Sequence, residues 1–261
     1  QVWARQYNGP DSEGDIGYAI AVDAKGNAYI TGRSDGRGSF GDFLTVKYSP
    51  AGTQLWVDRY NGPVNDYDEA SAIALDSSGN VYVTGSSRAI ADDYLTIKYN
   101  AAGVRQWIAR YDGTGNEYDD AVAIALDASG NVFVTGRSEV LKGDVDFATI
   151  KYSPTGSQQW ATRYNGPGNS YERPTAFTVD QSGNVYVTGP SGSGIYSDYN
   201  TIKYSAEGVL QWAARYNGPE DLYDYPTAIK VDHAGNVYVT GESGGPNTRR
   251  DYATIKYDSR G

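Results

Sequence analysis

The stretch AIALDSSGNVYVTG, residues 72–85, decides the fold of this chain. Ala72–Asp76 and Val81–Thr84 are short segments rich in apolar and β-branched residues, with no helical periodicity. The Ser-Ser-Gly-Asn sequence between them is typical of a tight turn, in which Gly79 and Asn80 are suited to positive φ. The stretch therefore predicts a two-stranded antiparallel hairpin.

The same arrangement recurs along the whole chain. Tyr94–Tyr99 (YLTIKY) and Gln106–Tyr111 (QWIARY) add a third and a fourth strand to the hairpin. Three markers then repeat at intervals of 51 to 53 residues: the Asn of GNxxxTG (Asn27, Asn80, Asn131, Asn184, Asn236), a Trp (Trp3, Trp56, Trp107, Trp160, Trp212) and the Lys of a Lys-Tyr pair (Lys47, Lys98, Lys151, Lys203, Lys256). Five copies of a four-stranded antiparallel unit predict a β-propeller.

We expect an all-β, five-bladed β-propeller with four antiparallel strands per blade, formed by residues 1–261 as one domain. The repeat units run approximately over residues 8–60, 61–111, 112–164, 165–216 and 217–261 plus 1–7. The fifth copy stops after its third strand, and residues 2–7 (VWARQY) align with the fourth strands LWVDRY and QWIARY. The sequence therefore predicts that the N-terminal strand completes the last blade and closes the ring, which removes two exposed sheet edges.

Composition excludes several classes of function. The formal net charge of −10 argues against nucleic acid as a partner, and no apolar run is long enough for membrane insertion. The absence of Cys excludes disulfides and thiolate chemistry, and the single His, His233, falls in a predicted surface turn. The chain begins at Gln1 and contains no Met, so we expect a processed or excised piece.

Two segments carry a resemblance to a known family. AIALDSSGNVYVTGSS, preceded by DYDEA, and GYAIAVDAKGNAYITGRS resemble the bacterial β-propeller repeat called the SBBP repeat. The resemblance extends over all five units. It implies an exported bacterial or archaeal protein, extracellular or at the cell surface, and it implies no particular chemistry.

Two sets of carboxylates recur in the long, variable loops, where function on a rigid scaffold usually lies. The first precedes the first strand of each copy: Asp15, Asp68, Asp119, Glu172 and Asp224. The second precedes the third strand: Asp42, Asp93, Asp146, Asp198 and Asp251. The favoured interpretation is structural, with each carboxylate accepting backbone N–H groups. The alternative is binding of a hard cation such as Ca²⁺ across blades; apart from calcium, no cofactor is expected.

Tyrosine accompanies the first set of carboxylates, at Tyr67, Tyr118, Tyr171 and Tyr223. These side chains are predicted either to pack between blades or to contact a ligand, because a Tyr beside a carboxylate suits a sugar. Together with the first set of carboxylates they form the candidate ligand-binding residues. The expected occupant of this face is a protein partner or a glycan.

Cations also recur inside the strands. The Lys of each Lys-Tyr pair and the arginines Arg59, Arg110, Arg163 and Arg215 need partners there, and the repeated Asp residues are the predicted ones. Five equivalent lysines are poor candidates for a single catalytic base.

The uniform copies favour a non-enzymatic binding or scaffolding propeller, and no catalytic residue is assigned. A carbohydrate-binding, lectin-like propeller is one alternative. A glycoside hydrolase-like enzyme that uses loop-face carboxylates is another, since such enzymes need two carboxylates in different roles. That asymmetry requires acids that break the repeat, and the departures noticed in the sequence form no recognisable constellation.

Overall fold

The computed structural model describes residues 1–9, 13–36, 38–141, 143–167, 171–193, 196–245 and 248–261. Within these ranges the chain forms 19 β-strands, and its sheets join strands that follow one another in sequence. Within these ranges no helix has the length and apolar character needed to cross a membrane.

Each repeat forms one antiparallel sheet, called here blades one to five. Blade one contains β1 (Asp15–Val22), β2 (Ala28–Gly36), β3 (Ser39–Tyr48) and β4 (Gln54–Tyr60). Blade two contains β5 (Asp68–Leu75), β6 (Val81–Arg88), β7 (Asp92–Tyr99) and β8 (Arg105–Tyr111). Blade three contains β9 (Asp119–Leu126), β10 (Val132–Leu141), β11 (Asp144–Tyr152) and β12 (Gln158–Tyr164). Blade four contains β13 (Ala176–Val179), β14 (Val185–Ser193), β15 (Tyr196–Tyr204) and β16 (Leu210–Tyr216). Blade five contains β17 (Asp224–Val231), β18 (Val237–Gly245) and β19 (Thr248–Tyr257).

The turn between the first two strands of a blade is held by its own aspartate. In blade two, Asp76 Oδ1 accepts the backbone N–H groups of Ser78 and Asn80, both at 2.9 Å. Gly79 takes φ 80°, as predicted, whereas Asn80 acts through its side chain, whose Nδ2 donates to Asp76 Oδ2 at 2.6 Å. The aspartates Asp23, Asp127, Asp180 and Asp232 hold the other four turns in the same way. This explains the DxxGN pattern.

The chain divides into two compact units, residues 1–126 with 155–157, and residues 127–154 with 158–261. In the first unit, Tyr29 and Phe43 of blade one pack against Val83, Leu95 and Ile97 of blade two, all fully buried. In the second unit, similar aromatic and β-branched side chains fill the cores on both sides of blade four. Burial of each such side chain contributes about 1.5–3 kcal/mol, so these cores hold neighbouring blades together.

A Trp from the fourth strand of a blade fastens it to the next one. Trp56 Nε1 of β4 donates to the Ala101 carbonyl in the β7–β8 turn of blade two at 3.3 Å. The indole covers Gly103 of that turn so closely that a Cβ atom there would lie 2.6 Å from the ring. Within the second unit the same hydrogen bond is made by Trp160 and Trp212.

The prediction for the N-terminal segment is wrong in its backbone pairing. Residues 1–9 form no strand, and the described part of the last sheet has the three strands β17, β18 and β19. Trp3 and Tyr7 instead pack on blade one, and Trp3 Nε1 donates to the Pro50 carbonyl at 3.0 Å. The aligned Trp thus makes the side-chain contact of a fourth strand with the following blade. This side-chain contact does not require hydrogen bonds between backbones of adjacent strands. The alignment of residues 2–7 with the fourth strands therefore does not imply that they pair as a strand.

Candidate functional site

The first set of carboxylates fastens the loops that lead into the blades. Each Asp of the set accepts the backbone N–H of a glycine six residues earlier; the glycines are Gly9, Gly62, Gly113 and Gly218. In blade four, Glu172 Oε1 accepts the Ser191 hydroxyl at 2.9 Å. Asp68, Asp119, Glu172 and Asp224 are buried. These carboxylates therefore accept local hydrogen bonds, as expected from the structural interpretation of the pattern, which was the alternative to cation binding.

The second set of carboxylates pairs with the strand arginines, as the sequence predicted. Arg59 Nη2 lies 2.8 Å from Asp42 Oδ2, Arg163 Nη2 lies 3.0 Å from Asp146 Oδ2, and Arg215 contacts Asp198. In blade two the pair is looser, with 3.7 Å between Arg110 Nε and Asp93 Oδ2. There the guanidinium donates to the hydroxyl and carbonyl oxygens of Ser87 at 2.9–3.0 Å.

The prediction that the repeated lysines pair with these aspartates is wrong. Each Lys Nζ lies 4.8–5.3 Å from the centroid of an aromatic ring on the second strand of its own blade. Lys47, for example, covers Tyr29. Lys47 and Asp42 are separated by five positions of β3, about 16 Å along a strand. The lysines therefore belong to the short-turn end of the blade and the carboxylates to the other end.

The predicted tyrosines are partly exposed, and each one has an arginine beside it. Arg33 and Arg88 lie over the rings of Tyr67 and Tyr118, at 5.6 and 5.7 Å from the centroids. Arg250 lies 5.3 Å from the Tyr223 centroid, and Arg137 donates to the Tyr171 hydroxyl at 3.5 Å. The sequence analysis missed these arginines because they do not occupy one fixed position in the repeat.

Three carboxylates come together in the first unit. Asp93 is the second residue of β7, Asp112 follows β8, and Asp119 begins β9. One carboxylate oxygen from each lies within 4.8 Å of the others. Asp93 and Asp119 are buried, whereas Asp112 is exposed. We call these three residues the carboxylate cluster. It combines two buried acids with one acid that solvent reaches.

Proximity of like charges and burial alter the chemistry of Asp93. Its pKa is raised to about 6, first by burial and then by the charges of Asp112, Asp119 and Asp92, against the opposing charge of Arg110. A carboxyl with a pKa near the working pH is suited to take and return a proton. Among the repeated Asp residues this environment belongs to Asp93, because the neighbouring loop supplies the additional acid Asp112.

Asp112 is the residue that the sequence analysis overlooked. It follows the Arg-Tyr pair of β8, where the corresponding residues of the other copies are Asn8, Asn61, Asn165 and Asn217. The substitution of Asn by Asp in one copy adds a negative charge without a change of shape. This acid, present in one copy only, is the feature of the sequence that could have indicated the site. A comparison of the residues that all copies share does not include it.

Glu172, the carboxylate of the first set in blade four, makes the stability of the fold depend on pH. Burial, partly offset by hydrogen bonds from Ser191 and Gly166, raises its pKa to about 7. The ordinary value is 4.5, so the folded protein retains a proton that the unfolded chain releases as the pH rises from 4.5 to 7. The stabilising contribution of this group is complete below pH 4.5 and is lost as the pH passes 7.

Replacement Glu172→Gln is therefore expected to raise the melting temperature at pH 8 relative to the parent, with a smaller difference at pH 5. Differential scanning calorimetry at both pH values measures this. Glu220→Gln, at an exposed position, is the control for loss of one negative charge. An unchanged pH dependence of the melting temperature in Glu172→Gln would contradict the assignment.

The five sheets of one repeat define a protein of the β-propeller class. The repeat pattern of the SBBP family, described as a beta-propeller repeat, matches residues 2–41, 59–89, 159–199 and 211–247. These matches span more than half of the chain, which belongs to the SBBP family of β-propeller repeats. This confirms the resemblance seen in the sequence.

A curated relative and two solved structures extend the comparison. An uncharacterized WD repeat-containing protein of Acanthamoeba polyphaga mimivirus is 24% identical over an alignment 266 residues long. The alignment covers 85% of this chain and 18% of that protein, so the chain spans about a fifth of its relative. A protein of unknown function from Dyadobacter fermentans has a TM-score of 0.55 at 8% identity, covering 92% of this chain and 78% of that one. The periplasmic gluconolactonase of Pseudomonas aeruginosa has a TM-score of 0.52 at 10% identity, covering 92% and 71%. At these identities the likeness concerns the fold.

The comparison corrects the expectation about function. Uniform repeats favoured a non-enzymatic binding or scaffolding propeller, yet a propeller of similar fold is a gluconolactonase. A propeller fold is therefore no argument against catalysis, because function depends on the residues placed on a fold. The preference for a non-enzymatic binding or scaffolding propeller is therefore wrong.

Proposed function

We propose that this chain is the catalytic propeller of a hydrolase that opens a sugar-derived lactone, with the carboxylate cluster as its active site. The observation that carries the proposal is Asp93: a buried carboxyl with a pKa of about 6, within 4.8 Å of Asp119 and the exposed Asp112. The gluconolactonase of similar fold supports the choice of substrate class. An exported location, which the family resemblance implies, is part of the proposal.

Lactone hydrolysis requires a base for the attacking water and positive charge for the oxyanion. Asp93 accepts a proton from water as the hydroxyl oxygen attacks the lactone carbonyl, and it returns that proton to the ring oxygen when the acyl C–O bond breaks. Arg110, 3.7 Å from Asp93, is the nearest cation that can stabilise the developing negative charge. Asp112 keeps Asp93 basic through like-charge repulsion and offers an acceptor to substrate hydroxyls.

A glycoside hydrolase is the second candidate. Retaining glycosidases place two carboxyl groups roughly 5–5.5 Å apart, one as acid and one as nucleophile. The separation within the carboxylate cluster, at most 4.8 Å, is close to that value. Asp93 would then donate a proton to the leaving oxygen, and Asp112 would attack the sugar.

Proton release from glucono-δ-lactone, corrected for spontaneous opening, tests the proposal, and p-nitrophenyl glycosides test the second candidate. We expect lactone turnover whose kcat/KM rises with pH through an apparent pKa near 6, because Asp93 acts in its ionised form. Asp112→Asn should keep the melting temperature of the parent, since four other copies carry Asn there. It should move the rise in kcat/KM to lower pH, because a neighbouring negative charge is removed.

The inverse replacement Asn165→Asp, at the same repeat position in the next copy, is the matched control and should leave the pH profile unchanged. Turnover of glycosides alone would select the second candidate. Saturable sugar binding without turnover of either substrate would overturn the proposal in favour of a lectin-like propeller.

A further inference from the structure

A pair of exposed aromatic rings lies where blade one meets blade two. Phe40 of β3 and Tyr67, which directly precedes β5, are stacked with their ring centroids 5.8 Å apart and an angle of 28° between the ring planes. Their exposed fractions are 64% and 46%. Aromatic side chains contribute most to stability when they are buried, so two rings in contact with solvent add little to the core. We call these two residues the aromatic platform.

The backbone and an arginine hold the aromatic platform in place. Gly41, the neighbour of Phe40, forms a parallel β-bridge with Tyr67. The guanidinium of Arg33 lies 5.6 Å from the centroid of the Tyr67 ring, and its Nε lies 3.0 Å from Asp35 Oδ1. A Cβ atom at Gly41 would lie 2.5 Å from Cδ of Arg33, so glycine at this position makes room for the arginine. The rings are therefore preorganised, which lowers the entropic cost of binding a ligand.

The aromatic platform departs from the repeat. The position of Phe40 is occupied in the other copies by Ala91, Asp144, Tyr196 and Arg249. At the junction of blades four and five, Tyr196 is 59% exposed. The tyrosine at the position of Tyr67 there is Tyr223, which stacks on Tyr225 of its own blade at 5.6 Å and 10°. That junction packs without the platform, so the packing of neighbouring blades does not account for it.

Hydrogen-bonding groups of both kinds border the aromatic platform. The carboxylate of Glu69 accepts the hydroxyl of Tyr18 at 3.1 Å, and its Oε2 lies 3.7 Å from Nη1 of Arg33. Both Tyr18 and Glu69 are partly exposed. A carboxylate supplies acceptors, a guanidinium supplies donors and a phenol can do either. This combination beside two rings suits a ligand that carries several hydroxyl groups and an apolar face.

The size of the aromatic platform favours a small ligand over a protein. At their observed exposures the two rings offer roughly 200 Å² of surface. A stable protein interface needs about 800 Å² from each partner. A pyranose ring with equatorial hydroxyls has two C–H faces, each comparable in area with an aromatic ring. The C–H groups carry slight positive charge, and the face of an aromatic ring is negative, so the two attract each other.

We propose that the aromatic platform binds a carbohydrate through a pyranose ring with equatorial hydroxyls, as in β-linked glucose. One C–H face of the sugar stacks on Phe40, and hydroxyl groups at its edge reach Glu69 and Arg33. The carboxylate cluster lies at a different junction, where blade two meets blade three. The platform therefore binds sugar without taking part in a reaction, and the inference does not rest on the proposed catalytic activity.

Titration calorimetry with cellotetraose tests the proposal, because every ring of this β-linked glucose chain has equatorial substituents. The parent should bind it saturably. Phe40→Ala should raise the dissociation constant about tenfold through loss of one stacking contact, and Phe40→Tyr, which keeps a ring, should bind like the parent. Phe40 is exposed, so circular dichroism should show an unchanged fold. Tyr196→Ala, at the same repeat position in blade four, is the matched control and should bind like the parent.

Saturation-transfer NMR identifies the contact itself. Irradiation of the aromatic protons of the protein should saturate the C–H protons of the sugar rings, and the transfer should fall in Phe40→Ala. Asp93→Asn should bind cellotetraose like the parent, so failure of the proposed catalytic site would leave this result unchanged.

Three results would overturn the proposal. A parent that does not bind cellotetraose would leave the aromatic platform to a protein contact. Equal affinity of the parent and Phe40→Ala would place the sugar elsewhere on the protein. Loss of binding in Asp93→Asn would place it at the carboxylate cluster.

Discussion

Asp93→Asn is expected to lower kcat/KM for lactone hydrolysis by about 100-fold or more, the usual contribution of a general base. The amide cannot accept the proton of the attacking water, and the rise of activity through pH 6 should disappear with it. The volume of the side chain and its place beside Arg110 are retained, so the loss is chemical in origin. Steady-state rates from pH 5 to 8 measure both effects.

Asp198→Asn is the matched control for this prediction. Asp198 occupies the same repeat position in blade four and contacts its own strand arginine, Arg215. In the part of the chain that the structure describes, Asp93 belongs to a cluster of three acids close enough to hold a metal ion, and Asp198 does not. Both variants should lose stability, because each replaces a buried carboxylate that faces a strand arginine with a neutral amide. Equal losses of activity in the two variants would assign Asp93 a structural role and contradict the proposed mechanism.

The strands could be predicted because the repeat tests each assignment five times. Gly79 occupies a turn in one copy, and four other glycines occupy the same turn at the same spacing, so chance does not explain the pattern. The pairing of residues 2–7 could not be predicted in the same way. Trp3 aligns with Trp56 because both must cover a turn of the following blade, and this requirement says nothing about the strand beside them.

The candidate site was harder to predict because it depends on a departure from the repeat. Asp93 has four equivalents, and the strand arginines that pair with them follow from charge alone. Its raised pKa comes from burial and from Asp112, a residue whose position in other copies is Asn. The lysines show the opposite error: equal numbers of Lys and Asp suggested pairs, but the two groups lie at opposite ends of the strands.

Gly103→Ala is expected to destabilise the first unit through both its backbone conformation and its packing. Gly103 has φ 83°, where an L-residue is strained by roughly 1–2 kcal/mol. In addition, the new methyl group would lie 2.6 Å from the indole of Trp56 and would force the ring off the turn. Overpacking of this kind costs about 1–3 kcal/mol. Denaturant unfolding followed by tryptophan fluorescence measures the change in the free energy of unfolding.

Gly79→Ala separates the two contributions. Gly79 has φ 80°, but a Cβ atom there would meet the methyl group of Ala101 at 3.5 Å, an ordinary contact. It should therefore lose the backbone contribution alone, and the difference between the two variants should be about 1–3 kcal/mol. In the background of Trp56→Ala that difference should vanish, because the double-mutant cycle removes the ring that Gly103 accommodates. A difference that persists without the indole would mean that the conformation of the turn, and not the tryptophan above it, requires glycine at this position.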